Sequence, residues 1–228
     1  MLSNATIYQV STWILPLLIA ITFHEAAHGF VARQLGDDTA SKLGRVTLNP
    51  IKHIDPFGTI VLPAVLLLSN SPFLFGYAKP VPVNFRGLRH PRLDMVWVAA
   101  AGPAMNILLA ALAALAFHLI GYAPAGSAQW IFDNLKNALI INIVLAVFNM
   151  LPLPPLDGGR IAVGLLPDVL ALPLARLENY GMLILIGILI VLPVLGRQIG
   201  IDLDFISDIL RVATNFMLRL ILSVTGNA

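Results

Sequence analysis

The chain is expected to fold as an all-α integral membrane protein, a polytopic helical bundle of about five or six transmembrane segments with short re-entrant or β-like loops. Three observations predict this. Apolar types make up 58% of the 228 residues and charged types 11%, against a charged share of about 25% in soluble domains. The charges leave long gaps, at 1–24, 56–78, 95–132, 137–156 and 179–196, and about 20 apolar residues suffice for a helix to cross a bilayer. Proline-rich and polar breaker clusters fall between or within these runs, where helices must end or turn. Composition also excludes other classes. The absence of cysteine removes disulfide frameworks and thiolate metal sites. A net charge of +2, from 14 Lys and Arg against 12 Asp and Glu, argues against nucleic acid as a partner.

The first apolar run, Trp13 to Val31, is not a cleavable signal, because no positive residue precedes it and His24, Glu25 and His28 lie inside it. The second, Phe57 to Phe75, contains Pro63 and the breaker cluster Ser69-Asn70-Ser71-Pro72, so it either spans or enters and turns back. The third, Met95 to Tyr122, carries small residues at helical spacing (Ala99, Gly102, Ala110, Ala114) that let helices approach closely in lipid. The fourth, Leu135 to Leu151, stops at Leu-Pro-Leu-Pro-Pro, where Pro152, Pro154 and Pro155 remove backbone donors. A fifth is Gly181 to Leu195. The tail from Phe205 to Val224 holds Asp208, Arg211 and Arg219 among leucines and isoleucines, which suits an interfacial amphipathic helix or a short sixth span.

Lys and Arg in short loops set orientation. None precedes the first run, whereas Arg33, Lys42, Arg45 and Lys52 follow it. The chain is therefore expected in the cell membrane as a multi-pass protein, with its N-terminus outside and the loop after the first helix in the cytoplasm. Lys79, Arg86, Arg89 and Arg92 ask for the next loop inside as well. Both conditions hold only if 57–75 is re-entrant; otherwise the rule fails once here.

Inside the first run, Phe23-His24-Glu25-Ala26-Ala27-His28-Gly29 is an H-E-x-x-H pattern. Residues four apart share a helix face with Cβ atoms about 5–6 Å apart, so both imidazoles can reach one metal ion with Glu25 beside it. The bland alternative packs the histidines and pairs Glu25 with Arg33. Lipid burial weighs against that, since one ionisable group at the bilayer centre costs about 2.5–3.5 kcal/mol on the gentlest scale. Catalytic zinc takes three protein ligands and keeps one open position, so another ligand is needed. Asp157 is the candidate, in Asn149-Met-Leu-Pro-Leu-Pro-Pro-Leu-Asp157-Gly158-Gly159-Arg160. A proline-stiffened stretch holds it at a fixed depth, and the glycine pair permits close backbone approach. Taken alone, the same residue reads as a helix N-cap; an incomplete zinc site favours the ligand.

These paired motifs, His24-Glu25-x-x-His28 and Asn149-x-x-Pro152-x-Pro154-x-Leu156-Asp157-Gly158, resemble the site-2 protease family of intramembrane zinc metalloproteases. Gly44-Arg45-x-Thr47-x-Asn49-Pro50-x-x-His53-x-Asp55-Pro56-x-Gly58-Thr59, Ala78-Lys79-Pro80-Val81-Pro82-Val83-Asn84 and Gly102-Pro103-x-x-Asn106 are similar to compact bacterial and archaeal members. The resemblance extends over about residues 13–165. It implies a catalytic core there; with no internal repeat, low-complexity tract or long linker visible, the chain is expected to form a single domain over 1–228, with C-terminal helices at about 179–224. It implies one zinc ion per chain held by His24, His28 and Asp157, Glu25 as catalytic base, and Asn149 as a polar group near the reacting carbonyl. Unlike larger members, the chain carries no inserted PDZ-type peptide-binding domain and no nucleotide-sensing CBS pair. The implied activity is hydrolysis of peptide bonds in or near transmembrane segments of membrane proteins, with the active site toward the cytoplasm and the bilayer as surroundings. A membrane metal-binding or ion-transport protein using the same cluster is the alternative. Neither the oligomeric state nor the substrate's identity is legible.

The remaining polar residues receive lesser expectations. Lys79 to Asn84 is either an edge for strand addition beside the zinc or a stiff connecting loop. Thr47, Asn49, His53 and Asp55 are placed to line a water path, while His53, His90 and His118 individually read as structural. Gly102 is expected to pack tightly against the H-E-x-x-H helix, with Asn106 one turn on able to reach the same region. Asn142, two turns before Asn149, reads as a helix–helix hydrogen bond.

Overall fold

The computed structural model of the chain describes residues 4–61, 65 and 78–227. The first helix, α1, runs from Asn4 to Gln34 and contains Pro16. It ends at Gly36, whose φ of +112° is open to glycine. There Asp37 starts a turn into the single-turn α2 (Thr39–Lys42). The Asp37 carboxylate, 3% exposed, accepts from Thr39 N (2.9 Å), Thr39 Oγ1 (2.5 Å) and Asn84 N (2.7 Å). One buried acid thus ties the end of α1 to a segment nearly fifty residues later.

Pro91 opens α3 (Pro91–Ala116) at a position where a missing N–H costs nothing, and Asp94 in its first turn accepts the His90 N–H at 2.7 Å. Next comes α4 (Ala128–Asn149), which ends just before the Leu-Pro-Leu-Pro-Pro run. The short helices α5 (Asp157–Leu165) and α6 (Asp168–Arg176) follow. A 3-10 turn at Leu177–Tyr180, α7 (Gly181–Ile186), a π-helical turn at Gly187–Val191 and α8 (Leu192–Ile199) continue α6 in a nearly unbroken rod. The last helix is α9, Phe205–Val224.

The centre of the bundle is α1, α3 and α4, each packed against the other two, with α5 against α3. Small side chains bring them together: Ala110, Ala113 and Ala114 of α3 form a buried cluster with Leu139 and Ile143 of α4 and Ile221 of α9. Large apolar side chains such as Leu112, Leu119 and Leu183 point outward and are half exposed or more, as expected where hydrocarbon rather than water is the surrounding solvent. At the C-terminal end of α1, Arg89 N donates to Leu35 O (3.0 Å) and Lys79 N to His53 O (2.9 Å). Arg92 reaches Gly164 O (3.0 Å), Leu166 O and Asp168. These connecting segments are therefore gathered at the end of the bundle where α1 finishes and α3 begins.

Four helical stretches are long and apolar enough to cross a bilayer: Thr6–Gln34, Pro91–Tyr122, Ala128–Asn149 and Asp168–Ile199. They correspond to the first, third, fourth and fifth runs, so among the described residues the count is four rather than five or six. The tail helix α9 falls outside the four because Asp208, Arg211 and Arg219 interrupt it; it packs on α4 through one face and exposes Val212 and Phe216 on the other. Of the second run, Pro56–Val61 forms a π-helical turn. Whether 57–75 spans or turns back lies outside the described residues. No strand occurs among the described residues, so 79–84 is extended backbone without a ladder, not a β-element.

Candidate metal centre

The helical period of α1 places His24 and His28 on one buried face, with Nε2 atoms 3.0 Å apart and ring planes at 83°. Each ring is oriented by α3. His24 Nδ1 lies 2.6 Å from Asn106 Oδ1, and His28 Nδ1 lies 2.7 Å from the Val98 carbonyl. Both partners present acceptor oxygens, so each Nδ1 carries the proton and donates it. Each Nε2 is left with a free lone pair, and the two lone pairs face one spot.

Asp157 arrives there from the far end of the Pro-rich turn. A Cβ on Gly158 would overlie the Met150 and Leu151 carbonyls, and one on Gly159 the Leu153–Pro154 backbone. Only bare glycines let the chain fold back this closely before α5 begins. Asp157 does not cap that helix: Leu156 holds the cap position and no side chain caps it. The carboxylate turns toward the histidines instead, with Oδ2 3.3 Å from His24 Nε2 and 3.4 Å from His28 Nε2. Asp157 is 5% exposed, and its buried Oδ2 makes no hydrogen bond. The donor atoms of His24, His28 and Asp157 all lie within 4.8 Å of one another.

Three acceptors converging in a buried pocket repel one another unless a cation lies between them. Two imidazoles and one carboxylate form a ligand set that zinc accepts, leaving a fourth position open, so the residues fit such an ion. Gly102 of α3 makes room for it. A Cβ there would stand 2.5 Å from His24 Cε1 and 2.6 Å from His24 Nε2, and closer still to His28 Nε2. The tight packing expected of Gly102 is therefore packing against the histidine rings themselves.

Glu25 is half-buried, and its Oε2 accepts the Val81 N–H at 2.7 Å. Val81 belongs to the extended stretch 79–84, whose donors are mostly consumed within the chain. Lys79 N bonds to His53 O, Val81 N to Glu25, and Asn84 N to Asp37, while Pro80 and Pro82 have none. Arg45 holds the Lys79 and Pro80 carbonyls at 2.8 and 3.3 Å. The stretch is thus built as a brace for Glu25 more than as a strand edge. Asn149, at the C-terminal end of α4, donates its side-chain amide to Leu145 O one turn back, at 3.0 Å.

Several other candidates settle into structural roles. His53 is 2% exposed and bonds Thr47 O at 2.9 Å. Asn49 accepts from Ile51 N, and Asp55 from Phe57 N and Gly58 N; these side chains stabilise their own turns. His118 bonds Thr225 O at 2.7 Å. Sequence reasoning missed the Val98 carbonyl and the Val81 N–H, because a backbone group carries no residue-type signal. Asn106 was expected to reach this region from its place one turn from Gly102, but its partner, His24, was not named.

Comparison with known proteins gives a match to peptidase family M50 over residues 12–138 and 118–192, most of the chain. The chain belongs to peptidase family M50. This M50 member is 42% identical over 175 residues to "Putative zinc metalloprotease YwhC" of Bacillus subtilis, covering 75% of this chain and 76% of the relative. It is 29% identical over 181 residues to "Putative zinc metalloprotease Rip2" of Mycolicibacterium smegmatis, covering 79% of this chain and 66% of that one. It is 33% identical over 150 residues to "Putative zinc metalloprotease Rip3" of Mycobacterium tuberculosis, where it covers 64% of this chain and 28% of the relative. No solved structure matches the chain.

Proposed function

We propose that this M50 chain, a membrane-embedded zinc metalloprotease, hydrolyses peptide bonds in or near the transmembrane segments of other membrane proteins, with His24, His28 and Asp157 holding one zinc ion. The observation that carries this reading is the buried, unbonded Asp157 Oδ2 between two imidazole Nε2 atoms. When bound, such an ion supplies Lewis-acid polarisation of a carbonyl and an acidified water, with a pKa brought toward about 7.

The chain's own residues would do the rest. Glu25, next to His24 on α1, acts as general base: its carboxylate takes a proton from the attacking water and later passes it to the leaving amine. The Val81 N–H on Oε2 holds that carboxylate in a fixed orientation. Asn149 stands at the end of α4, eight residues before Asp157, and its amide is proposed to support the reacting carbonyl or the substrate backbone. Low exposure of His24, His28 and Asp157 limits bulk water at the site, which strengthens each electrostatic contact there. The excess of Lys and Arg in the loops after α1 supports an N-terminus outside and an active site facing the cytoplasm.

The test is Glu25→Gln in the purified full chain, assayed on a model transmembrane substrate in proteoliposomes. Zinc content is expected to stay at the wild-type level while cleavage is lost. Cleavage at the wild-type rate would end the assignment of Glu25.

A further inference from the structure

Two amides behind the site are the most deeply buried polar side chains near it. Asn106 of α3 is 0% exposed and Asn142 of α4 is 1% exposed. An amide can face a neighbour with either its oxygen or its nitrogen, and which one faces His24 decides where the imidazole carries its proton. The far side of Asn106 makes that choice. Its Nδ2 donates to Ala20 O at 3.2 Å and to Asn142 Oδ1 at 2.8 Å. The Ala20 carbonyl can only accept. Asn142 is itself held one way round, because its Nδ2 donates to the Ala138 carbonyl at 2.9 Å. Oδ1 of Asn106 is therefore the atom left for His24 Nδ1, at 2.6 Å.

We infer that Asn142 is a positioning residue for the zinc ligand His24, acting through Asn106. The inference rests on the metal site proposed above. With Asn142 Oδ1 in place, flipping Asn106 would set two acceptors face to face and bring an NH2 to His24 Nδ1. The imidazole proton would then move to Nε2 and close that nitrogen to a metal. Asn142 touches no ligand atom, yet it biases the tautomer of His24. The chain Ala20–Asn106–Asn142–Ala138 ties this bias to the packing of α1, α3 and α4 together, which a lone histidine–carbonyl bond would not do.

The experiment measures zinc affinity by chelator competition on the purified full chain in detergent, with thermal melting as a check on folding. In Asn142→Thr and Asn142→Ser, the hydroxyl bonds its own helix carbonyl but is too short to reach Asn106; zinc binding is expected to weaken by about tenfold. Asn142→Asp keeps an accepting oxygen toward Asn106, so it is expected to bind zinc as the wild type does. With Asn106→Leu already present, adding Asn142→Thr is expected to cost nothing more, because the connection is cut upstream. Wild-type affinity in a folded Thr or Ser variant, additive losses in the double variant, or an Asp variant as weak as Thr would each overturn the inference. Asp157→Ala is the control that separates the two readings. If it binds zinc as tightly as wild type, the metal site itself is wrong and this inference falls with it. If it loses zinc while Asn142→Thr does not, only the role of Asn142 is refuted.

Discussion

Gly102→Ala is the sharpest perturbation of the site, because it adds one methyl to the floor of the metal pocket and nothing else. The new Cβ would stand 2.5 Å from His24 Cε1 and 2.6 Å from His24 Nε2, whereas unstrained contacts begin near about 3.5 Å. Relief requires the rings to retreat by about 1 Å. They cannot swing aside independently, since Asn106 and Val98 pin both Nδ1 atoms at 2.6 and 2.7 Å. A zinc site tolerates ligand displacements of about 0.2 Å, so at least two of the three bonds are spoiled. Zinc affinity should fall at least 100-fold, about 2.7 kcal/mol. The fold should survive, because overpacking costs about 1–3 kcal/mol and alanine regains about 0.5–1 kcal/mol over glycine within a helix. The assay is metal content of the purified variant with chelator competition, beside a thermal melt. A folded Gly102→Ala protein carrying one tightly held zinc would refute the placement of the pocket against α3.

Other expectations are independent of that one. Asp157→Ala should purify without stoichiometric zinc and without protease activity, and metal analysis beside the wild type decides it. Gly158→Ala should lose both zinc and stability, in contrast to Gly102→Ala, because its Cβ meets the Met150 and Leu151 carbonyls and backbone cannot yield as a ring edge can; a wild-type melting temperature would contradict this. Burial alone would raise the Asp37 carboxyl, but the Thr39 hydroxyl and N–H, the Asn84 N–H and the Lys42 charge outweigh it and hold the group below the usual carboxylate range. Its stabilisation is therefore complete above the unfolded value of about 3.9 and is lost as pH falls through the lower folded value. Asp37→Asn should cost about 2 kcal/mol at neutral pH and flatten the loss of melting temperature as pH falls below about 4; an unchanged acid limb would show that Asp37 does not tie α1 to Asn84.

Much of the site was legible before any fold was known, and the reason is locality. The spacing of His24 and His28 is a property of one helix, whose period places them together whatever surrounds it. Four of the apolar runs were readable for the same reason, since length and charge depletion alone decide whether a helix can cross lipid. The tail helix was ambiguous because its three charges balance its apolar face, and only its packing on α4 shows where that face goes. The stretch 79–84 looked equally like an edge or a brace, because the destinations of its N–H groups, Glu25, Asp37 and the His53 carbonyl, lie elsewhere in the chain.

By itself, the order of residues determined that this protein lives in a membrane, that α1 carries two histidines at a metal-ligand spacing with an acid beside them, and that a proline-braced turn presents another acid far along the chain. Tertiary structure alone decided that Asp157 meets both imidazoles, that Gly102 leaves the space between them, and that Asn106 and Val98 set the proton on each ring. The physical reason is that these are contacts between helices, set by rotation and depth to within tenths of an ångström. A periodic pattern specifies which face of a helix is buried, but not which atom of a distant segment will stand opposite it.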